Sequence, residues 1–442
     1  MSASVPQIAT ALERVLTEVP AELAQATGFC RRRSKVTAAG FVQTLVLGWL
    51  AHPTGSLHRL TQAAAMLGLA VSPQGLIQRF TPAGAALLAG VLEAAVREVV
   101  AAAPVAAGLL ARFPAVVLMD STTVALPDGL AQVWAGCGGR VPQGSQAGLK
   151  LTVRLDLGTG RLDGPVLTAG RAQDKTSALQ HAPLPPGALR ITDLGFWSLA
   201  VLGEIAAHGA YFLSRLHLQT AVFAADGERL DLGEWLPRQR RRRLSVPVTL
   251  GVDARVPARL LVVRVPNRVA AARRAKIRAD AKREGVPPSA RKLALAAWTL
   301  LVTNAPPDVL AIREALVLAR ARWQIELLFK LWKDEGHLDE WRSADPTRIL
   351  CEISAKLTAM IIQHWLLLVG CWLYADRSLT KAAQTVRDHA IGLLLVVASR
   401  AGVLAVLRSV VRCCAAGCRL NRRRRNPNLC QLLTDPALGG LA

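Results

Sequence analysis

The chain has 442 residues, 52% of them hydrophobic, and carries 54 Lys and Arg against 31 Asp and Glu, a net charge of +23. That length and apolar content suffice for two to four domains with a sizeable core and exclude a disordered polymer. The charge points to a polyanion partner, most simply nucleic acid, with an anionic membrane surface as the rival; the excess of Arg over Lys suits bidentate phosphate contact.

Residues 1–110 read as a helical N-terminal region, a candidate for DNA binding. The start of the chain lacks a basic n-region and an apolar h-region, so no signal peptide is expected. "FVQTLVLGWLA" is an apolar helix ended by "HPTG". "SLHRLTQAAAMLGLAVSPQGLIQRFT" follows, a short helix, a turn at Gly68 and a second helix starting near Ser72 and Pro73, an N-cap followed by N1. The layout suits either a helix-turn-helix, with Gln74, Gln78 and Arg79 as exposed readers of DNA, or an ordinary helical hairpin.

The pattern changes to strands in 111–209. "PAVVLMDSTTVALP" is a buried strand ending in a polar cluster at Asp120. "LKLTVRLDLGTGRLDGPVLTAG" is a hairpin with Asp156 and Asp163 at its turn. Asp174 lies in a loop without a rigid mount. "LRITD" is a strand ending at Asp193, followed by a helix, and "AYFLSRL" is a further strand. Such a mixture predicts an α/β fold, a mixed sheet flanked by helices.

Residues 210–304 are β-rich, interrupted by the basic segment "NRVAAARRAKIRADAKREGVPPSARK", a helix and loop suited to a phosphate backbone. Trp298 begins the last strand, "AWTLLVTN", as a core aromatic or a ring that stacks on a DNA base. From 305 the chain is helical again, through 305–375 and a basic C-terminal region, 376–442, with the run "NRRRRN" at 421–426. "ISAKLTAMIIQHWLLLVGCWL" approaches the length of a membrane span, but Lys356 and His364 lie inside it, which argues for a core helix. The eight cysteines form no CxxC pair and read as reduced thiols of a cytoplasmic protein.

Asp120 and Asp193 share one arrangement: a carboxylate at the end of an apolar strand, where α/β sheets present functional groups. Turn or helix capping is the competing role of each. "RARWQIELLFKLWK" adds a third acid. Arg322, Glu326, Lys330 and Lys333 share one helix face, and Ile325, Leu328, Phe329 and Trp332 form the apolar one. Surface ion pairs of Glu326 with Arg322 and Lys330 are the plain reading, each contributing about 0.3–0.5 kcal/mol. A metal-ligating carboxylate among phosphate-holding cations is the sharper one.

"DST" at 120, "DLGFW" at 193 and "RWQIELLFKLWK" at 322 resemble the DDE transposases of the insertion-sequence-four family. Arg322, Glu326 and Lys333 match that family's Tyr, two residues, Arg, three residues, Glu, six residues, Lys signature; Ala319 stands where it has Tyr. The resemblance covers about residues 30–375. It implies an RNase H-like catalytic core interrupted by a β-rich insertion domain at 210–304. Asp120, Asp193 and Glu326 would hold two Mg²⁺ ions, with Mn²⁺ able to substitute and Asp120 bridging. Arg322, Lys330 and Lys333 would hold DNA phosphates. The partners implied are double-stranded DNA, as terminal inverted repeats and target, and a second copy of the chain in a synaptic homodimer, without a membrane. The competing classes are a catalytically inactive transposase acting as a DNA-binding protein, a basic membrane-associated protein and a glycosidase-like carboxylate pair.

Overall fold

The structure is a computed structural model that describes residues 3–30, 35–137, 146–421, 423 and 427–438. Most of the basic run at 421–426 lies outside the described residues. The chain begins with α1 (Val5–Glu13), α2 (Val19–Ala26), α3 (Ala38–Ala51), α4 (Leu57–Met66), α5 (Pro73–Ile77) and α6 (Pro82–Arg97). Then come β1 (Val116–Leu126), β2 (Ala147–Asp156), β3 (Leu162–Ala169), β4 (Leu189–Thr192), α7 (Leu199–Ala207) and β5 (Tyr211–Arg215). The next stretch holds β6 (Val222–Phe223), α8 (Leu232–Trp235), β7 (Arg243–Leu250), β8 (Val256–Arg264), α9 (Asn267–Glu284), α10 (Ala290–Leu295) and β9 (Trp298–Thr303). The chain closes with α11 (Ile312–Ala321), α12 (Trp323–Lys330), α13 (Pro346–Gly370), α14 (Leu379–Val396), α15 (Arg400–Gly417) and α16 (Leu429–Thr434).

The strands form one nine-stranded mixed sheet in the order β3-β2-β1-β4-β5-β9-β8-β7-β6. β1, β4 and β5 run parallel, and β5, β9, β8, β7 and β6 pair antiparallel. The strands drawn from 210–304 thus extend this sheet, with β9 covering the open edge of β5. An uncovered edge would leave a row of unpaired backbone groups. Asn304 ties the join: its Oδ1 accepts from Phe212 N at 2.8 Å and its Nδ2 donates to Ala210 O at 2.8 Å.

The chain divides into two compact units. The first comprises Met1–Ala106, Ser121–Ala172 and Gln324–Asn421. α13 is its axis, packed by α3, α6, α14 and α15. Lys356, which argued against a membrane span, is buried on α13 beside Glu352 Oε1 at 3.0 Å and donates to the carbonyls of His337 (2.7 Å) and Glu340 (3.0 Å). His364 is buried too, its Nε2 against the carbonyl of Gly160 at 2.7 Å. Gly160 has φ of +70° and touches α13 so closely that a Cβ would lie 2.3 Å from Leu368 Cδ2. The hairpin turn is closed by Asp156, whose carboxylate accepts from Gly158 N and Thr159 Oγ1, as a turn residue does.

In the same unit, Ser72 caps α5 through Gly75 N, with Pro73 at its first position. α5 is only five residues long and α6 starts at Pro82, so the second helix expected after Gly68 is a single short one. Gln74 and Gln78 are exposed and Arg79 is half-buried.

The second unit comprises Ala107–Asp120, Gln173–Trp323 and Arg422–Ala442. Its core gathers Phe212, Leu250, Leu260, Trp298 and Val302 from the sheet and Leu202 from α7. Trp298 is buried there, with the Arg264 guanidinium 5.6 Å from its ring centre, so it is the core aromatic and its ring is not offered to a DNA base.

Candidate active site

β1 and β4 pair in parallel from Val116–Leu189 to Met119–Thr192. Asp120 follows Met119 within β1 and Asp193 follows Thr192, the last residue of β4, so the two acids come immediately after the last paired positions of neighbouring strands. The expectation that the strand ends at Asp120 needs correction. β1 runs on to Leu126; what ends is its parallel partner, leaving space above β4. Asp193 starts a 3₁₀ turn, Leu194–Phe196, and its Oδ1 accepts from Gly195 N at 2.9 Å.

Asp120 is largely buried and accepts from Arg322 Nη1 at 2.7 Å through Oδ2. Arg322 follows α11 at its C-terminal end. Asp193, Arg215, Ala319, Arg320, Arg322 and Trp323 line a cavity of about 530 Å³. It holds three guanidinium groups and a carboxylate, a composition suited to an anion bound beside a cation. Ala319, the departure from the signature, forms part of this wall, where the signature's Tyr would fill space.

Glu326 lies on α12, four residues beyond Arg322, half-buried with Ile325, Leu328 and Phe329 on the buried face. The single helix expected over "RARWQIELLFKLWK" is interrupted: α11 ends at Ala321, α12 at Lys330, and Leu331–Glu335 is a π-helical turn. Lys330 is exposed. Lys333, on the π turn, donates to Thr123 O at 2.9 Å and so braces the outer half of β1. Trp341 Nε1 holds the next part of that strand through Ala125 O at 3.1 Å.

Two positioning residues, Arg190 and Gln180, were not anticipated, and Asp174, a rival acid in the sequence, has a mount there that its loop did not show. Asp174 sits on a 3₁₀ turn and closes on the Asp193 loop; a Cβ on Gly195 would lie 2.6 Å from Asp174 Oδ2 and 3.2 Å from Asp193 Oδ1. Arg190, buried in β4, holds Gln180 through its carbonyl at 2.9 Å and its side-chain oxygen. Gln180 Nε2 in turn donates to Phe196 O at 3.3 Å. The turn after Asp193 is therefore pinned from beneath. A charged residue inside the apolar run "LRIT" was the available signal for Arg190.

Among the described residues no three Asp, Glu, His or Cys side chains gather into a metal-binding group. The donor chemistry still fits a hard divalent ion. Mg²⁺ keeps several waters and is commonly held by one or two carboxylates together with substrate phosphates, and Asp120 and Asp193 supply such a pair.

Residues 111–362 match the family model described as the transposase DDE domain, more than half of the chain. The chain belongs to the DDE transposase family. Its relatives include the transposase for insertion sequence element IS231B of Bacillus thuringiensis subsp. berliner, 25% identical over 77% of this chain and 75% of the relative. The IS231F transposase of B. thuringiensis subsp. israelensis is 26% identical over 79% and 78%. The putative transposase InsL for IS186A of Escherichia coli is 28% identical over 55% and 64%. The matched DDE region contains Asp120, Asp193 and Glu326, and the mixed sheet flanked by helices is consistent with an RNase H-like α/β fold.

Proposed function

We propose that this DDE transposase is the transposase of a DNA insertion sequence of the insertion-sequence-four group, which binds the terminal inverted repeats and cuts and rejoins DNA strands by cut-and-paste movement. The observation that carries the reading is that Asp120 and Asp193 follow the last paired positions of two adjacent parallel strands, with Asp193 lining a cavity walled by Arg215, Arg320 and Arg322, the last of these bonded to Asp120. A carboxylate pair beside guanidinium groups suits a phosphodiester better than a sugar or a lipid.

Asp120 and Asp193 would hold Mg²⁺ or Mn²⁺, and Glu326 completes the acids through the spacing of the signature. The bound ions would activate the attacking oxygen and stabilise the leaving one. The chain's own residues position the strand. Arg322 is the counter-charge of Asp120 and would hold a phosphate from the cavity wall, while Lys330 and Arg320 add positive charge along the same chain segment. Lys333 fixes β1 and so the backbone beneath Asp120. Gln180 and Arg190 fix the turn that follows Asp193. The reaction is proposed to run in a synaptic homodimer on double-stranded DNA in the bacterial cytoplasm.

The test is incubation of the protein with duplexes carrying the inverted repeats that flank its gene. Cleavage at the repeat ends with Mg²⁺ or Mn²⁺, and none with EDTA, supports the reading. Salt-sensitive binding without cleavage under any divalent ion would make the chain a DNA-binding relative without catalysis.

A further inference from the structure

The second unit holds another cavity, of about 620 Å³, that the catalytic reading does not use. Among the described residues five arginines line it: Arg242 just before β7, Arg243 at its start, Arg264 at the end of β8, and Arg313 and Arg320 on α11. No acid lines it. Among the described residues none of the five makes an ion pair with an acid, and Arg243 Nε is buried without a hydrogen-bond partner. Arg242, Arg264, Arg313 and Arg320 are exposed and Arg243 is half-buried. Like charges gathered without an acid among them repel one another, and an anion bound there relieves that repulsion.

Two features identify the anion. Arg313 and Arg320 are seven residues apart on one face of α11, about 10 Å along its axis, a spread that fits successive charges on a chain better than one small ion. Arg320 also lines the cavity that contains Asp193 and Arg322, so the two cavities share a wall. We infer that the arginine cavity is a second phosphodiester site, which holds the backbone of the DNA strand as it leaves the carboxylate site past Arg320. The inference rests on the proposed action on DNA. Arginine forks directed at phosphates fix the register of a strand without reading its sequence.

The test is equilibrium DNA binding by fluorescence anisotropy over a range of salt, for duplexes with and without the inverted repeat. The variants are Arg242→Gln/Arg243→Gln/Arg264→Gln and, should that triple fail to fold, Arg242→Gln/Arg313→Gln. The expected result is a loss of about tenfold or more on both duplexes, with the salt slope shallower by about 0.9 for each phosphate contact removed. An unchanged slope and affinity would overturn the site. So would a loss confined to the repeat sequence, or binding of pyrophosphate or dTMP as tight as that of a long oligonucleotide, which would mark a small-anion site. If the wild-type protein binds no DNA at all, the proposed function itself fails, a result distinct from these.

Discussion

Arg322 Nη1 lies 2.7 Å from Asp120 Oδ2, joining the residue after α11 to the strand position where β4 stops pairing with β1. The two are far apart in sequence, so the contact is made by the fold and not by local spacing. The bond makes Arg322 both the counter-charge of Asp120 and a wall of the cavity at Asp193. Arg322→Gln should therefore lower stability by about 1.5–3 kcal/mol, the range for a hydrogen bond to a charged group. Urea denaturation measures it. Arg322→Lys should recover only part, because an ammonium lacks the planar fork. Equal stability of all three proteins would show that the pair is incidental.

Gly195 separates two carboxylates. In Gly195→Ala the new methyl meets Asp174 Oδ2 and Asp193 Oδ1. Because the side chain of Asp174 can turn aside, stability should fall by only about 1 kcal/mol, at the low end for overpacking. DNA cleavage should fall about tenfold or more. Removing the clash in Gly195→Ala/Asp174→Ala should restore stability, read by thermal melting; failure to do so would put the strain elsewhere.

Lys356 and Glu352 are buried together on α13, and Lys356 also caps the carbonyls of His337 and Glu340. Lys356→Met leaves Glu352 without its cation and should cost about 3–5 kcal/mol. Lys356→Met/Glu352→Leu should cost clearly less, since no buried charge then remains unpaired. A double variant as unstable as the single one would assign the cost to the lost carbonyl contacts instead.

His364 is held neutral. Burial lowers its pKa to about 4, against a smaller opposing effect of its hydrogen bond to Gly160. The unfolded chain, with an ordinary histidine pKa near 6.5, then binds more protons than the folded one between those values. Stability from this group is complete above about pH 6.5 and declines as pH falls towards 4. His364→Gln should flatten that part of the curve, measured as the midpoint of urea unfolding from pH 7 to pH 4. An identical slope in variant and wild type would show that His364 does not titrate on unfolding.

Much of this was legible in the residues. The alternation around Gly158 and Gly160 announced the β2–β3 hairpin, Ser72-Pro73 announced the start of α5, and the Lys356 and His364 interruptions marked α13 as a core helix. Asp120 and Asp193 were visible as acids following apolar strands. Their adjacency was not, because strand order depends on pairing between distant segments, and no local pattern shows that β4 lies beside β1. The same reason hid β9 against β5, which turned an expected separate β-rich piece into a continuation of the sheet. Two partners of Arg322 and Lys333 were likewise invisible: helix spacing suggested contacts with Glu326 and with phosphates, and could not show that the fold also brings Asp120 and the Thr123 carbonyl to them. The π turn at Leu331–Glu335 has no composition signal we can identify.

The account turns on the acids. The most direct measurement is cleavage of inverted-repeat DNA with Mg²⁺ by Asp120→Asn, Asp193→Asn and Glu326→Gln, each alongside its DNA affinity. These isosteric changes remove the negative charge and keep the shape. The account predicts that each variant retains DNA binding within a few-fold and loses cleavage by at least about a thousandfold, on the order of 4 kcal/mol of barrier. Cleavage at near wild-type rate by any one of the three would contradict it.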